Sequence, residues 1–442
     1  MPAMFDLPKK ATAPFCPSEV KGSISIAEHW PFWRKLLKFA GPGILVSVGY
    51  MDPGNWATDI EAGSKFGFSL LSVVLISSVA AMILQILCVR LGIVTGRDLA
   101  QISRENFSKP MTYAQWVLAE IAIMACDLAE VLGTAIAFQL ILGCSLVTGV
   151  LLTILDTFVV LSLQGKGFRR LEAIVLGLVL TVGACFVVEL FLVQPPWGEV
   201  VKGLIPLRSF VNNRELWYVG VGILGATVMP HNLYLHSSTV QTREIESAMG
   251  TKKEAIRLAS IDTVLSLSAA FFINAAILIL AASAFHLSGY KDVADIQDAY
   301  RLLEPIAGTS LAGILFAVAL FASGQSSTLT GTIAGQIVME GFLNLKIPCW
   351  QRRLITRGFA IFPALIGAIW FGETSAGKLL VLSQVVLSFQ LPFAMAPLIY
   401  FSGHKKWMGE YASGFFLKIT AWFLFFAISA ANIWLIVEMF AK

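Results

Sequence analysis

Charge is what this sequence has least of: Asp, Glu, Lys and Arg make up 14% of its 442 residues against 57% hydrophobic ones, and the mean hydropathy is +0.76. So few solvated side chains exclude a disordered chain or an ordinary soluble domain and leave a protein whose solvent is lipid. Cysteine chemistry is scarce too. The six cysteines (Cys16, Cys88, Cys126, Cys144, Cys185, Cys349) are scattered, mostly within apolar stretches, with no CxxC spacing, and they read as small buried hydrophobes. No HExxH and no nucleophile motif occurs, and His231 and His236 are wrongly spaced for a zinc pair, which argues against an intramembrane metalloenzyme. No segment between the apolar stretches is long enough for the output domain of a metal-sensing receptor. Residues 1–36 are polar and lack an apolar core, so they are expected to be a flexible cytoplasmic tail rather than a signal peptide or a span.

What is present is a series of apolar stretches, each near the roughly 20 residues that cross a hydrocarbon core as helix. Eleven are found, near residues 39–63, 69–94, 113–142, 146–164, 171–194, 216–240, 258–285, 310–343, 354–371, 379–402 and 416–440. They are too long for barrel strands and lack strict alternation, so the fold class is an all-α integral membrane protein. Most of the 32 Lys and Arg residues, including Arg97, Arg104, Arg169, Arg170, Lys252, Lys253, Arg352 and Arg353, flank the even-numbered loops or the N-terminal tail. The positive-inside rule therefore places the N-terminus in the cytoplasm and, after eleven spans, the C-terminus outside. That bias accounts for the net charge of +4, and no nucleic-acid partner is implied. The glycosylation-type triplet Asn106-Phe107-Ser108 falls on the cytoplasmic side, a pattern that favours a bacterial plasma (inner) membrane.

Two spans break the apolar pattern. In span one the run from Gly41 to Met51 meets Asp52-Pro53-Gly54-Asn55 before the helix resumes; in span six Gly225-Ala226-Thr227-Val228 meets Met229-Pro230-His231-Asn232. Each proline lacks an amide hydrogen, so a helix interrupted there leaves carbonyls unpaired at mid-membrane, tolerable only around a ligand or cavity. An aspartate at that depth costs about 2.5–3.5 kcal/mol on insertion scales and needs a partner or an ion. The two broken spans are the first members of consecutive five-span blocks, 37–195 and 216–403, which predicts an inverted repeat with the substrate site where the discontinuous helices meet. The eleventh span, 416–440, is an appendage.

The donors at these breaks describe a cation site. Asp52 offers a carboxylate, Asn55 an amide oxygen, Met229 a thioether, and the interruption before Pro230 a free carbonyl, with Ala226 the candidate. Oxygens alone would suit Mg²⁺ or Ca²⁺; a thioether adds attraction only for softer ions such as Mn²⁺, Fe²⁺, Co²⁺ or Cd²⁺. In span three Glu120, Asp127 and Glu130 are spaced to share one helical face, and intramembrane carboxylates are proton-relay candidates as well as helix-pairing groups. His231 beside the break carries an imidazole whose ordinary pKa of about 6.5 suits proton coupling, whereas His236, five residues on, is assigned to gating or packing. His29, His286 and His404 are given no role.

With these residues in view, the chain resembles the natural resistance-associated macrophage protein (Nramp) family of proton-coupled divalent metal transporters, of bacterial manganese-transport type. The pairing of Asp52-Pro53-Gly54-Asn55 with Met229-Pro230-His231 carries the resemblance, and Gly324-Gln325-Ser326-Ser327-Thr328 through Gly331–Gln336 looks like the family's transport signature. The resemblance implies a LeuT-type inverted repeat and a metal held by Asp52, Asn55, Met229 and the Ala226 carbonyl, with Gln384 joining in an occluded state. It moves Asp127 and Glu130 toward a proton relay, with Arg352 or Arg353 as counter-charge, and places His231 just outside the metal's ligands; Glu120 is less firmly placed. It implies import of Mn²⁺ or Fe²⁺, and also Cd²⁺ or Co²⁺, with protons by alternating access, with no resident cofactor, no obligatory protein partner and no enzymatic step. The Nramp-related magnesium transporters lack that methionine and are the alternative. A sodium-coupled amino-acid transporter would share the fold but not the acidic break. Asp156, Glu189 and Asp262 also lie at or near membrane depth, and helix–helix hydrogen bonding is their expected role.

Overall fold

A computed structural model describes residues 21–440 apart from 28, 163–167, 207–212, 245–251, 294, 345–348 and 371–375; the side chains of 156–162, 349–350, 352–354, 356–357, 360, 367–368, 370 and 438–440 lie outside the described set as well. Eighteen α-helices follow one another among these residues: α1 (Phe32–Phe39), α2 (Pro42–Val48), α3 (Pro53–Phe66), α4 (Leu71–Thr95), α5 (Leu99–Asn106), α6 (Lys109–Leu142), α7 (Leu146–Ser162), α8 (Phe168–Val193), α9 (Trp197–Gly203), α10 (Arg214–Thr227), α11 (Pro230–Thr239), α12 (Lys252–Ala281), α13 (Ile296–Ala307), α14 (Ser310–Leu343), α15 (Cys349–Trp370), α16 (Ala376–Ser402), α17 (Lys405–Met408) and α18 (Phe415–Phe440). Every one of the eleven expected spans corresponds to a helix or, for spans one and six, to a pair: α2 with α3, and α10 with α11. By length and apolarity alone seven helical segments among the described residues suffice to cross a membrane, the first running from Pro53 through Thr95 because a 3₁₀ turn over Gly67–Leu70 joins α3 to α4. The halves α2, α10 and α11 fall short of that criterion because each is too short to cross alone.

Lipid-facing and protein-facing surfaces are sorted as a bilayer demands. Phe191, Phe272, Phe416 and Phe423 are exposed, while Trp56 is buried between the rings of Phe186 on α8 (4.8 Å) and Phe316 on α14 (5.2 Å). α14 lies against α6 and α8, and α12 against α2, α3 and α4, so the broken first span is enclosed by unbroken helices.

One end of α2 is clamped. Asp262 of α12 accepts the Gly41 and Gly43 amides (3.3 and 2.8 Å), supplying an anion to a helix N-terminus whose amides have no helical partner. Arg243, 2% exposed, donates to the Phe39 and Ala40 carbonyls (both 2.9 Å) and forms a forked ion pair with Glu172 of α8 at 2.6 and 3.2 Å. Arg169 donates to the Leu37 carbonyl (2.7 Å), to the Ala40 carbonyl and to Glu172 (2.9 Å). Asp262 is thus a cap holding span one to span seven, a sharper role than generic helix pairing.

Residues 21–27 and 29–36 depart from the expected flexible tail. Gly22 and Ile24 donate to the Gln241 and Thr242 carbonyls at 3.0 Å, Ile24 bridges Arg243, and Ile26 is fully buried among side chains of α4 and α12. Two isoleucines in a polar stretch anchor it there, a signal that averaging over 36 residues dilutes. Residues 1–20 lie outside the described set.

Candidate metal and proton site

Both breaks form for the same local reason. A proline at position i cannot donate to the carbonyl at i−4, so Pro53 strands the Gly49 carbonyl and Pro230 that of Ala226; each preceding residue turns extended, Asp52 at φ −70°, ψ 166° and Met229 at φ −63°, ψ 124°. The chain between α2 and α3 tightens into a 3₁₀ turn, Gly49–Met51. Two polar side chains missed by the sequence reading satisfy carbonyls it frees: Asn274 of α12 donates to the Tyr50 carbonyl at 2.6 Å, and Ser323 of α14 donates to that of Met51. Their roles follow from tertiary contact: Ser323 directly precedes the stretch singled out on span eight, whereas nothing in its neighbourhood marks Asn274.

The side chains named from sequence converge here. Asp52 caps α3 by accepting the Asn55 amide at 2.8 Å through Oδ1, while its Oδ2 and the Oδ1 of Asn55 are buried with no hydrogen-bond partner. Met229 is fully buried against Ala122 and Cys126 of α6 and Leu387 of α16. Gln384 of α16 has a buried, unpartnered Oε1, and its Nε2 donates to Ser383 at 3.1 Å. A Cβ added at Gly54 would overlap that amide, so the glycine between Pro53 and Asn55 is what admits Gln384 to the break. The breaks also face each other: a Cβ at Gly49 would collide with the Asn232 amide, both of whose polar atoms are unpartnered, as is the hydroxyl of Thr227. Buried polar atoms are normally hydrogen-bonded, so the exceptions at the two breaks make them a candidate binding site. No group of three or more His, Cys, Asp and Glu side chains is gathered for a metal among the described residues, so a cation here would depend on amide, carbonyl and thioether donors beside the Asp52 carboxylate.

A chain of contacts leads away from the breaks. His231 Nε2 lies 3.8 Å from Cys126 Sγ; that thiol is 3.7 Å from Glu130 Oε1, which also accepts from Ser327 of α14 at 2.8 Å. Cys126, taken from sequence as a packing residue, therefore links the imidazole to the carboxylate, and Ser327 belongs to the stretch already singled out on span eight. Asp127 is buried one residue further along α6, whereas Glu120 is half-buried and accepts from Trp116 at 3.0 Å, a bond within its own helix. The side chains of Arg352 and Arg353 lie outside the described residues, as does that of Asp156. Both carboxylate oxygens of Glu189 are buried without a hydrogen-bond partner, so helix pairing does not account for it. His236 bonds Gln85 of α4 through Nδ1 (2.9 Å), and Gln85 in turn donates to the Tyr50 hydroxyl (2.9 Å), tying α11 to the turn of span one. His286, given no role from sequence, bonds the Ser64 carbonyl at 2.8 Å and braces the C-terminal end of α3.

Comparison with known proteins agrees with this geometry. Residues 43–438 match the family model described as natural resistance-associated macrophage protein-like. A relative in Ralstonia nicotianae named divalent metal cation transporter MntH is 60% identical over 435 residues, covering 98% of each chain. A crystal structure of the Eremococcus coleocola manganese transporter, bound to an aromatic bis-isothiourea compound, superposes with a TM-score of 0.87 at 37% identity, covering 94% of this chain and 90% of that one. A structure of MhsT with L-phenylalanine gives a TM-score of 0.53 at 16% identity, a likeness of fold alone.

Proposed function

The chain belongs to the Nramp family and is a divalent metal cation transporter with the LeuT-type architecture of two broken helices, and on that premise we propose that it imports Mn²⁺ or Fe²⁺, and also Co²⁺ or Cd²⁺, together with protons. The observation that carries the reading is that Asp52 Oδ2, Asn55 Oδ1 and Gln384 Oε1 are buried without a described hydrogen-bond partner, with the Met229 side chain fully buried, at two facing helix breaks. In the proposed cycle the cation is held by Asp52, Asn55, the Met229 sulfur and the Ala226 carbonyl, with Gln384 closing over it. Asp52 must be ionised to bind metal, so a proton leaves as the cation enters. His231, Cys126 and Glu130 give that proton a connected route into α6, with Asp127, Glu120 and Arg352 or Arg353 as further members. The clamp formed by Asp262, Arg243 and Glu172 around Phe39–Gly43 keeps one end of span one shut; its release lets α2 move and opens the site to that side. The distribution of Lys and Arg supports the clamp side being cytoplasmic, in a plasma membrane, with the C-terminus outside.

Uptake into proteoliposomes tests this. Wild type is expected to take up Mn²⁺ faster from an acidic exterior and to ignore a large excess of Mg²⁺. Asp52→Ala is expected to abolish uptake, and Met229→Ala to let Ca²⁺ or Mg²⁺ compete, because only the sulfur discriminates against hard ions. Unchanged selectivity in Met229→Ala would instead show that the sulfur is not what discriminates, and competition by Mg²⁺ already in wild type would overturn the transition-metal reading.

A further inference from the structure

The short helix before the first span carries a surface that the transport cycle does not use. α1 is amphipathic. Lys35, Leu36 and Phe39 face inward, with Lys35 paired to Glu254 of α12 at 2.8 Å. On the other side Trp33 is 72% exposed and Leu37 70%, unusual for large apolar side chains in water. They stand four residues apart, and so do exposed Arg34 and Lys38 beside them, so an apolar stripe and a basic stripe run in parallel along one face. Exposed Lys253 and Arg257 at the start of α12 extend the basic surface, the Arg257 guanidinium lying 5.3 Å from the Phe32 ring. Among the described residues none of these four cations is paired with a carboxylate. The helix also ends three residues before α2 begins and touches the first turns of α8 and α12 through Arg169 and Glu254.

We propose that α1 lies in the membrane interface and binds the phosphate headgroups of anionic phospholipids, with Trp33 and Leu37 in the acyl boundary and Arg34, Lys38, Lys253 and Arg257 on the phosphates. An amphipathic helix with aromatic and aliphatic residues on one stripe and bases on the next is the form such recognition takes. Charge complementarity selects this occupant: four cations without a described carboxylate partner flank the apolar stripe, Arg34 and Arg257 resting on the Trp30 and Phe32 rings, and a protein partner's apolar patch alone would leave their charge unanswered. The bound lipid would hold α1, and through the Arg169 and Arg243 contacts to Leu37–Ala40 it would bear on the hinge into α2.

The test uses the full chain in phosphatidylcholine vesicles, with or without phosphatidylglycerol, containing a chain-brominated lipid that quenches tryptophan. The share due to Trp33 is the signal lost in Trp33→Phe. Trp33 is expected to be quenched more strongly with phosphatidylglycerol present, and Arg34→Gln/Lys38→Gln is expected to remove that increment. Phosphatidylglycerol retained by the protein in native mass spectrometry should fall at least about tenfold in the same variant, since each base at an anionic surface contributes a factor of about five. The unfolding temperature of that variant in detergent reports folding and is expected to match wild type, because both side chains are exposed. Trp33 unquenched in both vesicles would overturn the proposal. So would quenching that appears only after residues 1–20 are deleted, which would assign the stripe to that segment, or quenching indifferent to phosphatidylglycerol, which would leave apolar insertion alone.

Discussion

Cys126 occupies a position that its own sequence context conceals. A thiol in an apolar span is ordinary, and only the fold shows it between His231 and Glu130. If the proton follows these contacts, Cys126→Ala should leave Mn²⁺ binding within about threefold, since Met229 keeps its other neighbours, while lowering protons moved per Mn²⁺; Glu130→Gln should lower them further. Intravesicular pH recorded alongside Mn²⁺ uptake reads both, and an unchanged ratio in both variants would remove α6 from the proton route. Asp52, Asn55 and Met229 were legible because polar or sulfur-bearing groups beside a proline in an apolar run have no other good reason to be there. Gln384 sits in an unbroken helix and was reached only through family resemblance; its approach to Gly54 supplies the physical reason. Asn274 and Ser323 were not legible, because their partners are carbonyls that exist only once span one breaks.

Breaks and clamps act at the scale of elements. Proline placement announced both breaks and hence the pairing of α2 with α3 and α10 with α11. The clamp on α2 was hidden because Glu172, Arg243 and Asp262 are distant in sequence and each resembles an ordinary membrane-edge charge. Removing one member of a buried ion pair strands the other, so Arg243→Ala should destabilise the clamped state by about 3–5 kcal/mol, seen as a lower unfolding temperature in detergent. It should also make α2 more accessible from the clamp side, and a variant as stable as wild type would show the pair to be incidental. α5 offers a pH-dependent prediction. Its N-cap Asp98 accepts the Gln101 amide at 2.8 Å, and burial pushes its pKa up to about 7 from 3.8 while backbone hydrogen bonds pull the other way. A carboxyl that holds its proton more tightly when folded stabilises the fold at low pH; that contribution is lost as pH rises from about 3.8 through about 7. Amide exchange in α5 should therefore quicken from pH 5 to pH 8 beyond the intrinsic base catalysis of exchange, and Asp98→Asn, which keeps the cap but cannot ionise, should abolish that excess.

At the scale of the molecule the number, order and helical nature of the spans were legible because bilayer thickness fixes the length of an apolar helix. The contacts of residues 21–27 and 29–36 were not legible because Ile26 packs among side chains of α4 and α12 and Ile24 bridges Arg243, both tertiary facts. The account's centre is that one cation sits where the two broken helices face each other. Anomalous diffraction from crystals soaked in Mn²⁺ tests it most directly: one strong peak is expected within coordination distance of Asp52, Asn55, the Met229 sulfur and the Ala226 carbonyl, absent in Asp52→Ala, whereas a peak elsewhere in the bundle, or one that survives that substitution, would contradict the account.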